Sequence, residues 1–160
     1  MTIVWTDDLN TGIDVIDHQH MRLVEYINQL EKASRTHDRL LIGRVLNELV
    51  DYTLSHFAFE ENLQEEAGYK FAKPHKAIHD MFIKRVAKYQ ERYSAGEDIA
   101  HQLNNMLNTW LLHHIKRDDQ SYVAEVKANI TKLVQDKKES GWLSRTIGKF
   151  FTRPNQPTTP

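Results

Sequence analysis

Apolar residues recur along most of the chain at intervals of three and four. Leu23, Val24, Ile27 and Leu30 form one such run, and Leu103, Met106, Leu107, Trp110 and Leu111 another. This is the spacing of one face of an α-helix, not the alternation of a strand. Glycine punctuates the pattern. Gly12 precedes the first long run, Gly68 and Pro74 bracket the second break, Gly96 sits in the third and Gly141 follows the fourth run, whereas Gly43 falls near a helix start. Four long helices are predicted, over 18–36, 40–66, 73–93 and 98–137, with Asp17 capping the first and a tight turn from Ser94 to Asp98. Short connections make successive helices antiparallel neighbours, so the expected fold is all-α, an up-down-up-down antiparallel four-helix bundle.

The pattern changes in the last twenty residues. Trp142, Leu143, Ile147, Phe150 and Phe151 share one helical face and Arg145 and Lys149 the other, ahead of a proline-rich end at Pro154, Pro157 and Pro160. Residues 137–160 hold five Lys or Arg against one Glu, in a chain of net charge −1. The chain therefore reads as a bundle over 1–137 with an appended amphipathic, Pro-ended C-terminal segment over 138–160. Residues 141–153 are the surface expected to meet a membrane, a protein partner or a second copy, against simple docking on the bundle.

Composition narrows the chemistry. With 160 residues the chain suits one domain with a core deep enough to bury a site. Cysteine is absent, which removes disulfides, thiolate ligands and iron–sulfur clusters and leaves His, Asp and Glu as metal ligands. The near-zero net charge gives no pull toward nucleic acid. The first residues lack a secretory pattern and no apolar run is long enough to span a membrane, so a cytoplasmic location is the expectation.

Nine histidines are many for this length, and their placement matters more than their number. His56 and Glu60 are four apart, about 40° around a helix and about 6 Å along it, close enough to share a metal. His75 and His79 repeat that spacing on the next helix. On the first helix His20 continues the stripe of Leu23, Val24 and Ile27, whereas His18 lines up with Arg22 and Glu25, so His20 faces inward. On the fourth, His114 follows Trp110 and Leu111 on the buried face, and His113 is rotated from it by about 100°. The fourth helix also supplies a carboxylate. Asp118 stands one turn beyond His114, and Asp119 continues the line Leu111, Ile115, Tyr122 and Val126, so helical geometry leaves both open. One inward histidine is ordinarily a hydrogen-bonded core residue. Five imidazoles with two carboxylates are different, because without a metal several would stay unpaired at about 1–3 kcal/mol each.

The segments WTDDLNTGIDVIDHQHMRL, HFAFEE, HKAIH and WLLHHIKRDD resemble the hemerythrin family in order, spacing and separation, over about residues 3–125. The resemblance implies the ligands His20, His56, Glu60, His75, His79, His114 and Asp119, choosing Asp119 by the family's HxxxxD spacing. It implies two iron ions cycling between Fe2+ and Fe3+, bridged by Glu60, Asp119 and an oxo or hydroxo group. His75, His79 and His114 would complete one iron, while His20 and His56 leave the other open to dioxygen under Trp110, Leu111 and Ile115. Two departures stand in the loop region: Gln64 where many members carry Met, and Lys70 where Pro often follows the Tyr.

A histidine-rich donor set is expected to favour reversible dioxygen binding over substrate oxidation, in contrast to the carboxylate-rich di-iron sites of ferritin-like bundles. The expected protein is thus an oxygen carrier, store or donor without catalytic residues. The alternatives are an oxygen or redox sensor acting through the C-terminal segment, and a dinuclear hydrolase, which finds no additional inward carboxylate or nucleophile.

Overall fold

A computed structural model describes residues 2–136. Helices form where the three-and-four spacing predicts them: α1 Asp14–Thr36, α2 Arg39–Glu66, α3 Ala72–Ser94 and α4 Ala100–His113, followed by α5 Val123–Asp136. They run up and down, with α1 packed on α2 and α4, and α2 on α3. Leu23, Leu30, Leu46, Leu49, Leu103 and Leu107 meet along the bundle axis, each less than 5% exposed. A second apolar cluster of Ile13, Ile16, Phe59, Leu63, Tyr122 and Val126 closes the end where α5 leaves the bundle. No described helix is long and apolar enough to cross a membrane. The amphipathic segment expected over 138–160 lies outside the described residues.

Two predicted features are corrected. Asp17 does not cap α1 from outside. The helix begins at Asp14, and Asp17 lies within its first turn, buried and reaching back. Its carboxylate accepts from the Thr11 amide and hydroxyl, both at 2.7 Å, and from the Gly12 amide at 2.9 Å. Gly12 takes φ 73°, a backbone conformation that favours glycine, while the space for a Cβ is bounded only by the flexible end of Lys127 of α5. Replacing Asp17 by Ala leaves those donors without an acceptor and is expected to cost about 1–3 kcal/mol. Thermal unfolding of the metal-free chain checks this, and an unchanged midpoint would remove the carboxylate from the account.

The fourth helix is not continuous over 98–137. After α4 the backbone widens into a π turn at His114–Asp118, tightens into a 3-10 turn at Asp119–Ser121, and resumes as α5. Five residues of regular α-helix would set His114 and Asp119 about 140° apart. The Asp119 amide instead donates to the His114 carbonyl, an i to i−5 bond that spreads one turn over five residues and puts both side chains on the inner face. Of the two departures noted in the sequence, Lys70 is exposed over the Phe71 ring, and Gln64 is fully buried with no partner for its amide.

Candidate metal centre

Every side chain expected at a metal converges on one end of the bundle axis. His20 arrives from α1, His56 and Glu60 from α2, His75 and His79 from α3, and His114 and Asp119 from the first residue of the π turn and the residue just after it. All seven are at most 4% exposed. Two sets of mutually close donors result: Glu60, His75, His79, His114 and Asp119 in one, and His20, His56 and Glu60 in the other, each within 4.8 Å. Glu60 belongs to both. His18, His37, His101 and His113 are exposed and stand apart, as the stripe argument placed His18 and His113.

His79 Nε2 and His114 Nε2 meet at 3.0 Å, but most of the donors approach without pairing. His20 Nε2 is 3.2 Å from Asp119 Oδ2, His75 Nε2 is 3.3 Å from Asp119 Oδ1, and His79 Nε2 is 3.2 Å from Glu60 Oε2. Yet both nitrogens of His20, Nε2 of His75, Oε2 of Glu60 and both oxygens of Asp119 make no hydrogen bond. Buried groups orphaned in this way are costly unless something sits between them. A cation held at about 2.0–2.2 Å spaces opposite donors about 4 Å apart, which is the scale of these sets. The residues present therefore fit cations.

Electrostatics show what the metal-free cluster does. Burial pulls the His56 ring down to about 3, so it is a neutral donor. Burial also acts against charge on His75 and His114, but the carboxylates facing them outweigh it and hold the two rings at about 9 and about 10. Glu60 and Asp119 are opposed by burial, and Glu60 by Asp119's charge as well, and the imidazoles still keep both below the usual carboxylate range. Two anions are thus balanced by two imidazolium ions.

The outward nitrogens are fixed by neighbouring side chains, of which only Asp118 figured in the sequence reading. His56 Nδ1 meets Gln19 Oε1 at 2.8 Å, His79 Nδ1 meets Glu61 Oε1 at 2.9 Å, and His114 Nδ1 meets Asp118 Oδ2 at 3.0 Å. Asp118, which helical geometry left open beside Asp119, is thereby an orienting group, and His114 in turn lowers its pKa. Tyr122 donates to Oε1 of Glu60, with burial raising its own pKa. Such partners set which imidazole nitrogen faces inward and how the ring is turned. Rings complete the packing: Phe57 stacks on His79 at 3.7 Å, and Trp110 on His114 at 4.3 Å.

Beside the cluster lies a narrow apolar cavity of about 10 Å³, lined by Leu23, Ile27, Phe57, Leu107, Trp110 and Leu111 among others. Its one hydroxyl, on Thr53, is engaged with the Leu49 carbonyl at 2.7 Å. A space of this size is about one small molecule across, and its walls offer water no partner. Trp110 and Leu111, expected over a dioxygen site, both line it. Ile115 does not; it is fully buried in the main core.

Comparison with known proteins agrees with this geometry. The family described as the hemerythrin HHE cation binding domain matches residues 11–126. A bacteriohemerythrin of Pseudomonas aeruginosa (strain LESB58) is 54% identical over 149 residues, covering 93% of this chain and 97% of the relative. A bacteriohemerythrin of Methylococcus capsulatus is 31% identical over 122 residues, covering 75% and 93%. Among solved structures, a wild-type hemerythrin crystal structure matches with a TM-score of 0.76 at 29% identity, covering 79% of this chain and 98% of that one. The converging donors, the bundle that carries them and these relatives together place the chain in the hemerythrin family.

Proposed function

We propose that this chain binds dioxygen reversibly at a non-haem di-iron centre held by His20, His56, Glu60, His75, His79, His114 and Asp119. The observation that carries the reading is the unequal division of the donors. One set has three imidazoles and two carboxylates, the other two imidazoles and the shared Glu60, so the second cation keeps room for an outside ligand. Glu60 and Asp119 would supply the carboxylate charge that holds the ions, Glu60 reaching both donor sets. Bound to these residues, an iron pair would supply reversible electron exchange with dioxygen.

The protein's part is to orient and to exclude. Gln19, Glu61 and Asp118 fix three imidazoles, Tyr122 holds Glu60, and Trp110 and Leu111 keep water from the open side. With five imidazoles against two carboxylates in the donor set, the reading is a binding protein that carries, stores or delivers dioxygen, not an enzyme.

The test is iron per chain together with the visible spectrum after anaerobic reduction, in air, and after the air is removed. Two irons and a band that appears and disappears with air support the reading; irreversible oxidation at first exposure overturns it. Metal uptake has its own signature. At pH 7.5 His75 and His114 are protonated in the metal-free chain and must give up those protons to bind, so loading is expected to release about two protons and to be favoured as pH rises toward 9. Calorimetry in buffers of different ionisation enthalpy counts them. Loading without proton release would show that the two rings were not charged.

A further inference from the structure

A ferric pair cannot bind dioxygen, so the proposed function needs electrons from outside whenever the ferrous pair is lost. The bundle offers one entrance of suitable form. Between α3 and α4 lies a cleft of about 470 Å³, walled by Arg85, Tyr89, Gln102, Asn105, Trp110 and His113 among others. That volume is in the range of small-molecule sites. It is unlike the apolar cavity beside the metal donors, from which Trp110 separates it as a shared wall.

The chemistry of the walls selects a ligand. None of the lining residues is a carboxylate, and α4 contains no Asp or Glu at all. Arg85 is exposed on the α3 side and makes no ion pair or hydrogen bond with any described residue. On the α4 side Arg117 stands behind His113, its guanidinium 3.3 Å from the ring Nε2. Gln102 uses its oxygen to accept from Arg92 at 3.0 Å, which leaves its amide N–H groups for something else, and Asn105, whose Nδ2 also meets His101 Nδ1 at 3.4 Å, adds one further N–H. Tyr89 and the edge of Trp110 supply aromatic surface. An unpartnered guanidinium with amide donors and ring surface suits a planar ring system carrying a phosphate.

The same wall leads inward. Trp110 lies nearly parallel to His114, with 4.3 Å between ring centres and 17° between planes, and His114 Nε2 is 3.0 Å from Asp119 Oδ1 within the donor set. The cleft is separated from His114, itself a metal donor, by one indole. We propose, on the di-iron reading above, that this cleft binds a carrier of the reduced flavin mononucleotide class and passes its electrons through Trp110 and His114. Each reduced flavin gives one electron to each of two ferric ions and releases two protons to solvent; the flavin leaves oxidised, the irons ferrous, and no bond to the protein forms.

The test uses the full chain, with flavin mononucleotide, riboflavin and inorganic phosphate as probes. The metal-free protein should quench flavin mononucleotide fluorescence saturably, with riboflavin weaker. Arg85→Glu should weaken binding about tenfold or more, whereas the same charge change at exposed Lys84 leaves it unaltered. Anaerobic reduction of the ferric protein by the reduced flavin should saturate over the same concentrations, and Arg85→Glu should make it linear in flavin, while a small uncharged reductant reduces both proteins equally. Absent quenching, quenching insensitive to Arg85, or phosphate competing as well as the mononucleotide would each overturn the proposal. Failure to take up iron would instead sink the dioxygen reading and the electron path with it, and it is seen separately because flavin binding is read on the metal-free chain.

Discussion

Glu60→Gln is expected to lose both irons while the bundle stays folded. Glu60 is the one residue common to the two donor sets, and its Oε2 stands 3.8, 3.7 and 3.2 Å from the Nε2 atoms of His56, His75 and His79. Glutamine fills the same volume, keeps an acceptor for Tyr122 and removes the charge. The loss should therefore appear as metal content and not as unfolding. His56→Ala is the matching comparison, since it opens only the smaller set and should leave about one iron per chain. In the metal-free Glu60→Gln protein His75 should also titrate below its wild-type value of about 9, because one of the two carboxylates that sustain its charge is gone. Iron analysis, the visible spectrum and histidine resonances followed against pH read all three effects. Two irons in Glu60→Gln would mean that the carboxylate is not shared between the ions.

Leu111→Ala is expected to separate stability from protection. Leu111 is 4% exposed and lines the dry cavity beside the donors, so truncation should cost about 2–5 kcal/mol and enlarge that cavity toward the cluster. Water then gains entry where the wild-type walls refuse it. Oxidation of the oxygenated protein to the ferric form should speed up at least roughly tenfold, the result of a barrier lowered by about 1.4 kcal/mol. Leu103→Ala provides the control. Leu103 is fully buried on the same helix but does not line the cavity, so it should be destabilised to a similar degree with no change in oxidation rate. Equal acceleration in both variants would assign the effect to loosened packing and remove Leu111 from the role of gate.

The features legible in the sequence are those carried by a regular helix. The stripe through Leu23, Val24 and Ile27 chose His20 over His18, and the stripe through Trp110 and Leu111 chose His114 over His113; both chosen side chains are buried at the centre. Asp118 and Asp119 could not be separated by the same means, because the π turn that turns Asp119 inward breaks the 3.6-residue period on which the reasoning depends. Gln19, Glu61 and Tyr122 stayed hidden for another reason. Each acts on a residue at least eighteen positions away, through contacts that exist only once the helices are packed. For Gln19 and Glu61 the sole sequence trace is adjacency: Gln19 precedes His20 and Glu61 follows Glu60.

That adjacency bears on moving the centre to another scaffold. On α1 and α2 one residue enters the donor set while its neighbour, about 100° round the helix, reaches across to steady a donor on the next helix. Gln19 of α1 steadies His56 of α2, and Glu61 of α2 steadies His79 of α3. Grafting the seven donors alone onto a designed bundle would transplant imidazoles free to spin. The smallest portable unit is a set of doublets in fixed helix-to-helix register, so a host with the right crossing angles but a one-residue slip between α1 and α2 would accept the ligands and lose their alignment.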